Sequence, residues 1–425
     1  MDHGSTVTEE LAKIRQPKGR ETEGMRNTKW LALPMAVGTV AAAAVLAQSG
    51  AARSTAGSPI IIGLVANATG TMSAYDDPPD NGAALAVKDI NAKGGVLGRP
   101  LKIAFFDEKT QPSLSSTGAT QVIGQGAVAV LASCDFDFGS PAAIVANQHK
   151  IPGISTCAGD PEFGAQGIGP YAYSMADTTN FEGAALAEFA YNTMHWKTAY
   201  VITDTTIAYT KQIAQFTSQV FKQLGGKVVG QDTMSNADQS IAAQITRLKS
   251  VKPAPDFVIL SSFNPGLAAA VKQVRAAGVN LPLIGGAGWD GTYWTTGIPK
   301  FSNAYHTALG FTDAPSPISG DYAAAQAYKK AYGSAPPNAY FLTGYAAIQV
   351  LAEAMKEAGS TNGTAVNNKL THLTNFPTLL GPVTFTPTVH APQSPLALDK
   401  FENGKELFIE TIRPKPSLVP NPFKK

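Results

Sequence analysis

The sequence predicts an α/β fold: two similar doubly wound lobes, each on a parallel sheet. Three observations predict it. Apolar runs of strand length alternate with helix-length amphipathic segments from residue 60 onward. The strand runs are nearly continuous in apolar character, as in parallel strands covered on both faces. The alternation comes in two series, the first ending with the strand run at 151–156 and the second starting with that at 198–204. Repeated β-α-β units give parallel sheets with right-handed crossovers, so two series give two lobes.

The strands of the first series are IIIGLVA (60–66), LKIAFFD (101–107), AVAVLAS (127–133) and IPGIST (151–156). Those of the second are TAYVITD (198–204), GKVVGQDTM (226–234), DFVILSS (256–262), LPLIGGA (281–287) and YHTALGFT (305–312). The helix from Asn81 puts Ala84, Val87 and Ile90 on one side and stops at Gly94, a good C-terminal signal. The helix after Tyr209 carries Ile213, Phe216, Val220 and Leu224 at helical spacing and ends in Gly-Gly. Leu267, Val271 and Val274 mark another, and FLTGYAAIQVLAEAMKEAG a longer one.

The N-terminal region sets the expected compartment. Residues 1–24 are a polar extension, and 25–50 read as a secretory signal peptide. Arg26 and Lys29 precede an Ala-rich apolar run from Trp30 to Leu46, with Val45 and Ala47 placed for cleavage. That run is short for a membrane span, which needs about 20 strongly apolar residues. The expected product is exported to the periplasm, and about 370 residues remain, enough for two domains.

Composition excludes other classes. The net charge is +2 with the signs mixed, so no basic stripe offers itself to nucleic acid. The two cysteines, Cys134 and Cys157, exclude a disulfide framework as the source of stability. The six histidines are scattered without ligand spacing, so no metal site and no cofactor is expected. Gly285, Gly286 and Gly288 lack the G-x-G-x-x-G spacing and a following Lys, so they do not read as a nucleotide loop.

In doubly wound sheets ligands sit beyond the carboxyl ends of the strands. Those ends read NATGTMSAY, SCDFDFGS, STCAGDP, DTTIAY, SSFNP and GAGWDGTYW. They are rich in small polar, acidic and aromatic residues and hold no Arg or Lys; the nearest base is Lys211. Tyr75, Phe136, Tyr209, Phe263 and Trp289 offer flat apolar surface. Asp137 and Asp290 favour a donor-rich or cationic group. Asp137 reads equally as a cap for the helix near Ser140–Pro141, and Phe136 and Phe138 equally as core.

The chain resembles the type I periplasmic solute-binding proteins of the leucine/isoleucine/valine-binding family. The resemblance rests on YDDPPDNGAALAVKDINAKGGVLGRPLKI (75–103), IPGISTCAGDPEF (151–163), IAYTKQIAQFTSQVFKQLGGKVV (207–229) and GLAAAVKQVRAAGVNLPLIGG (266–286). TGYAAIQVLAEAMKEAG (343–359) and LLGPVTFTPT (379–388) complete it. It implies two lobes joined by a three-crossover hinge. The expected division is 59–178 plus 313–376 for one lobe and 179–312 plus 377–412 for the other, with 413–425 as a tail. It also implies an extracytoplasmic receptor, a monomer and not an enzyme, that delivers a small solute to the permease and ATPase of an ABC importer. A sensor for a receptor kinase is the alternative; a secreted hydrolase would need a nucleophile beside a base, which the strand ends do not offer.

Residue by residue, Tyr75 and Tyr209 match family aromatics. The family's amino-acid binders hold the carboxylate with Ser or Thr where this chain has Asp135, Phe136 and Asp137. Cys157, Ala158 and Gly159 stand at the family's Ala-Thr position, and Ala287, with Asp290 close by, where an acid holds the amino group. Cys134 and Cys157 end strands that this fold makes neighbours, within reach of a disulfide in the oxidising periplasm.

Overall fold

The computed structural model describes residues 57–318 and 320–424; the expected extension and signal peptide lie outside them. The first sheet holds β1 (Ile60–Ala66), β2 (Leu101–Asp107), β3 (Ala127–Ala132), β4 (Gly153–Ser155) and β5 (Ala172–Ser174). Their order is β2-β1-β3-β4-β5, all parallel. The second sheet holds β6 (Thr198–Asp204), β7 (Lys227–Met234), β8 (Phe257–Ser261), β9 (Leu283–Gly285), β10 (Ala304–Ala308), β13 (Leu396–Glu402) and β14 (Lys405–Ile412). Its order is β14-β13-β10-β9-β8-β6-β7. A small hairpin pairs β11 (Phe376–Thr378) with β12 (Gly381–Val383).

The helices are α1 (Ser73–Ala92), α2 (Pro112–Gly124), α3 (Phe136–Gln148), α4 (Thr179–Glu188), α5 (Ala208–Gln223), α6 (Ala242–Ser250), α7 (Gly266–Ala276), α8 (Asp321–Tyr332), α9 (Phe341–Ala358) and α10 (Gly363–Leu370). The central strands of both sheets are covered on both faces, as the apolar runs require, while the edge strands β7 and β14 leave one face exposed. In the first, Ile62, Leu64 and Leu131 meet α1 and α9 through Ala83, Ala86, Ile348 and Leu351. The next residues along the same strands, Val65 and Val130, turn to α2 and α3. In the second, Ile202 and Leu260 pack on α7, and Val201 and Ile259 on α5. The chain passes between the two sheets after β5, after β10 and after β12.

Two elements differ from the sequence-based expectation. The second sheet is not wholly parallel: β13 runs antiparallel to β10, and β14 antiparallel to β13. The second of these pairings follows from the Asn403–Gly404 turn, with both residues at positive φ (52° and 75°), which folds the chain straight back into a hairpin. And α1 begins at Ser73, although it contains Pro78 and Pro79. Pro78 cannot donate to the carbonyl of Ala74; Asn338 Nδ2 donates to it instead, at 3.4 Å. The segment after β14 packs on α4, where Lys415 N donates to Glu188 Oε2 and Asn180 Nδ2 to Pro420 O.

Helices α1 and α9 cross at two glycines. A Cβ on Gly82 would lie 1.9 Å from Phe341 O, and one on Gly344 1.8 Å from Pro79 O. Both obstacles are backbone, so no side chain can swing away. Gly344→Ala is expected to lower the unfolding free energy by about 1–3 kcal/mol. The reading is an earlier guanidinium midpoint at unchanged slope; an unchanged midpoint would show that the helices separate freely.

Candidate ligand-binding cleft

The carboxyl ends of both sheets face one another, and buried acids fix the loops there. Asp76, in the first turn of α1, is inaccessible to solvent. Its Oδ2 accepts from Asn67 N (2.8 Å), Asn67 Nδ2 (2.7 Å) and Ser133 Oγ (2.8 Å), and its Oδ1 from Cys134 N (2.7 Å). One carboxylate thus ties the ends of β1 and β3 to α1. Burial raises its pKa, and the four donors oppose that rise.

Glu182 does the same in the second lobe. Its Oε1 accepts from Thr307 Oγ1 (2.5 Å), Ala287 N (2.6 Å) and Tyr209 OH (3.1 Å). It joins α4, α5, β10 and the loop after β9. Ala287, where an acid would have held an amino group, instead donates its N–H to this one. The sequence reading missed Glu182. The signal was there: an acid in TNFEGAALAE, a helix buried along its whole length.

Between the lobes lies a cavity of about 40 Å³. Of the residues singled out in the sequence, Tyr75, Asp135, Phe136, Cys157, Gly159, Tyr209 and Phe263 line it. Met72, Asp160, Ile207 and Tyr340 line it too and were not anticipated. The Tyr75 ring lies 6.2 Å from that of Phe263 and 6.0 Å from that of Tyr340. Cys134 and Cys157 are joined as a disulfide with Cα atoms 4.3 Å apart, linking the loops after β3 and β4.

Ala158, Asp137, Asp290 and Trp289 do not line the cavity. Ala158 is held in the first lobe's core, its N–H on Ser155 Oγ and its carbonyl accepting from Ser174 Oγ. Trp289 is fully buried in the second lobe's core. Asp290 Oδ2 accepts from Ala339 N at 2.8 Å. Asp137 neither caps its own helix nor lines the cavity. Asp135 is the cap of α3, its Oδ1 accepting from Asp137 N at 2.9 Å. Asp137 reaches across the cleft, and its Oδ2 accepts from Ala208 N, the first residue of α5, at 2.7 Å. The free N–H groups and positive dipole end of α5 draw it there.

Other bonds cross beside it. Tyr75 OH donates to Gly288 O (3.1 Å) and accepts from Asn264 N (2.8 Å). Tyr340 OH donates to Ala287 O (2.6 Å), and Gln212 Nε2 to Asp160 Oδ2 (2.6 Å). The lobes are therefore closed on each other. Burial pushes Tyr75 up to about 12. Burial first, then the charge of Asp137, pushes Asp135 up to about 8. Burial carries Asp160 to about 6. A larger concavity, about 710 Å³, opens on the second lobe between α5 and β7, where Lys211 and Lys222 face water. Its lining comes from the second lobe alone, whereas both lobes line the small cavity, which is therefore the stronger candidate.

Comparison with known proteins places this geometry in context. The profile of a periplasmic binding protein family matches residues 59–405. The Leu/Ile/Val-binding protein BraC3 of Rhizobium johnstonii is 27% identical over 348 residues, covering 81% of this chain and 92% of that protein. The leucine-specific-binding protein of Salmonella typhimurium is 28% identical over 305 residues, covering 71% and 80%. Among solved structures, the branched-chain amino acid transporter substrate-binding protein LivJ of Streptococcus pneumoniae, in complex with isoleucine, superposes with a TM-score of 0.76. It is 23% identical and covers 84% of this chain and 100% of its own. A solute-binding protein of an ABC transporter from R. palustris, in complex with benzoate, gives 0.72 at 20% identity, covering 84% and 97%.

The acids make stability depend on pH. A carboxyl raised above its unfolded value, near 3.9, binds its proton more tightly when folded. Its stabilising effect is complete below that value and is lost as pH rises through the folded one. For Asp135 the window runs from about 4 to about 8. Asp135→Asn keeps the helix cap and removes the proton. The variant is expected to match the parent at pH 4 and to exceed it at pH 8.5 by on the order of 1–3 kcal/mol in denaturant unfolding. Parallel pH profiles for the two proteins would refute this.

Proposed function

The chain belongs to the periplasmic binding protein family, and from that premise we propose that it is an extracytoplasmic receptor that captures a small organic solute between its lobes and delivers it to an ABC importer. The observation that carries this reading is the cavity at the facing strand ends, walled by tyrosines and phenylalanines and closed by direct bonds between the lobes. Export to the periplasm through the segment at 25–50 belongs to the same proposal. No helix among the described residues is long and apolar enough to cross a membrane. The reading includes no chemical step.

The lining selects the solute. Asp135 and Asp160 are its acidic groups, and no Lys or Arg is among them. A dry carboxyl with no basic partner favours a donor-bearing group, above all an ammonium, and the aromatic wall favours an apolar body. That combination fits an amino acid or amine with an apolar or aromatic side chain, in keeping with the relatives named for leucine, isoleucine and valine. The cavity is smaller by roughly an order of magnitude than the 300–1,000 Å³ of ordinary solute pockets, so the lobes open to admit it by hinge motion.

The test has two steps. Thermal-shift screening against amino acids, amines, amides and aromatic acids is expected to find a solute that stabilises the protein by about 2.7 kcal/mol at a hundredfold excess over Kd. Calorimetry of that solute near pH 7, in buffers of different ionisation enthalpy, is then expected to show about one proton released, because a cation bound at Asp135 expels its proton. Asp135→Asn is expected to weaken binding by about 2–5 kcal/mol and to abolish the release. A solute that binds with proton uptake, or equally well to the variant, would contradict the site.

A further inference from the structure

A separate polar cluster lies inside the second lobe, where β10, β13 and β14 meet. His306 stands opposite Asp399 across the β10–β13 pair, and Phe401 opposite Glu406 across β13–β14. Period-two alternation therefore puts His306, Asp399 and Glu406 on one face of the sheet. All three are buried. One nitrogen or oxygen from each lies within 4.8 Å of the others.

The polar atoms here are not satisfied by one another. His306 Nδ1 lies 2.9 Å from the carbonyl of Thr307, which can only accept, so Nδ1 carries the proton. In the neutral ring Nε2 then presents a lone pair. It faces Glu406 Oε1 at 2.8 Å without hydrogen-bond geometry. Both Asp399 oxygens are buried without a hydrogen-bond partner. Among the described residues no Lys or Arg forms an ion pair with Asp399 or Glu406. Glu406 accepts from the N–H of Gly291 at 3.1 Å and stands at ion-pair distance from the His306 ring, whereas Asp399 has neither kind of partner. The His306 ring is held in place by stacking on Phe401, with centroids 5.0 Å apart and planes 25° apart.

We propose that His306, Asp399 and Glu406 form a divalent-cation site suited to zinc. One imidazole nitrogen with carboxylate oxygens is a zinc-type donor set. An N–H donated from the far ring nitrogen to a carbonyl is the usual support of a metal-bound histidine. A cation supplies what the cluster lacks: an aligned partner for Nε2 and a partner for the Asp399 oxygens. Ligands at about 2.0–2.2 Å from zinc stand a little over 3 Å apart, so Asp399 closes in and Glu406 gives way by a few tenths of an ångström. The ion pins the β13–β14 hairpin to the sheet beside Gly291 and Asp290, the loop that holds the other lobe through Ala339. The scattering of histidines along the sequence hid the site, because its three ligands come from three separate strands.

The test uses the exported chain, purified without a polyhistidine tag. Elemental analysis is expected to find about one zinc per chain after desalting. After unfolding with a chelator, refolding with one equivalent of zinc is expected to raise the guanidinium midpoint above that of refolding without it. Asp399→Asn and Glu406→Gln are each expected to cut retained zinc at least about tenfold, the loss that even an outer partner of a ligand brings. If those variants fail to fold, refolding of the parent chain decides alone. A parent chain that holds no zinc as purified and shows no midpoint change on refolding with it overturns the proposal. So does zinc retained in full by both folded variants.

Discussion

The cleft is built around acids that have no bases to pair with. A buried carboxylate without a cation must find N–H and O–H donors or take up a proton. Asp76 and Glu182 find donors, and in doing so fix the geometry of the strand-end loops in both lobes. Asp137 finds its donor in the opposite lobe, at the start of a helix, and so becomes a bond between lobes. Asp135 finds only the N–H of its own helix turn and is left to hold a proton or receive a cation. One constraint therefore gives the loops their rigidity and the lobes their closure, and it underlies the preference proposed for the cavity.

Closure of this kind is reversible on energetic grounds. The bonds at Asp137, Asp160, Tyr75, Tyr340 and Asp290 are each worth roughly 0.5–1.5 kcal/mol net, because water replaces them when the lobes part. The sum is a few kcal/mol, within what a moderately tight solute supplies. A solute shifts the balance by its difference in affinity for the two states. In the closed form the tyrosine hydroxyls serve as lobe-to-lobe bonds. Under the proposed function, a solute between the lobes takes over some of those positions.

Much of this was legible in the sequence, for a physical reason in each case. The parallel strands are apolar on both faces, and their runs are unmistakable. The fall of Tyr75, Asp135, Phe136, Cys157, Gly159, Tyr209 and Phe263 at strand ends placed them at the cavity, because strand ends are where doubly wound sheets open. The β13–β14 hairpin was passed over although Asn403–Gly404 is a strong turn signal; its strands mix polar and apolar residues and lack the long runs of the others. Asp137 and Asp290 were assigned to a ligand because chain position shows that an acid is near the cleft but not which donor reaches it first. In both cases a backbone N–H of the other lobe did. Glu182 was missed because its helix reads as core.

The central claim is that the solute binds between the lobes and not in the wide groove between α5 and β7. Hydrogen exchange on the protein with and without its solute tests this most directly. The account predicts added protection at the amides of residues 134–138, 157–160, 207–209, 263–264 and 287–288, which converge from both sheets. Protection confined to residues 211–222 and 231–233, with those amides unchanged, would contradict it.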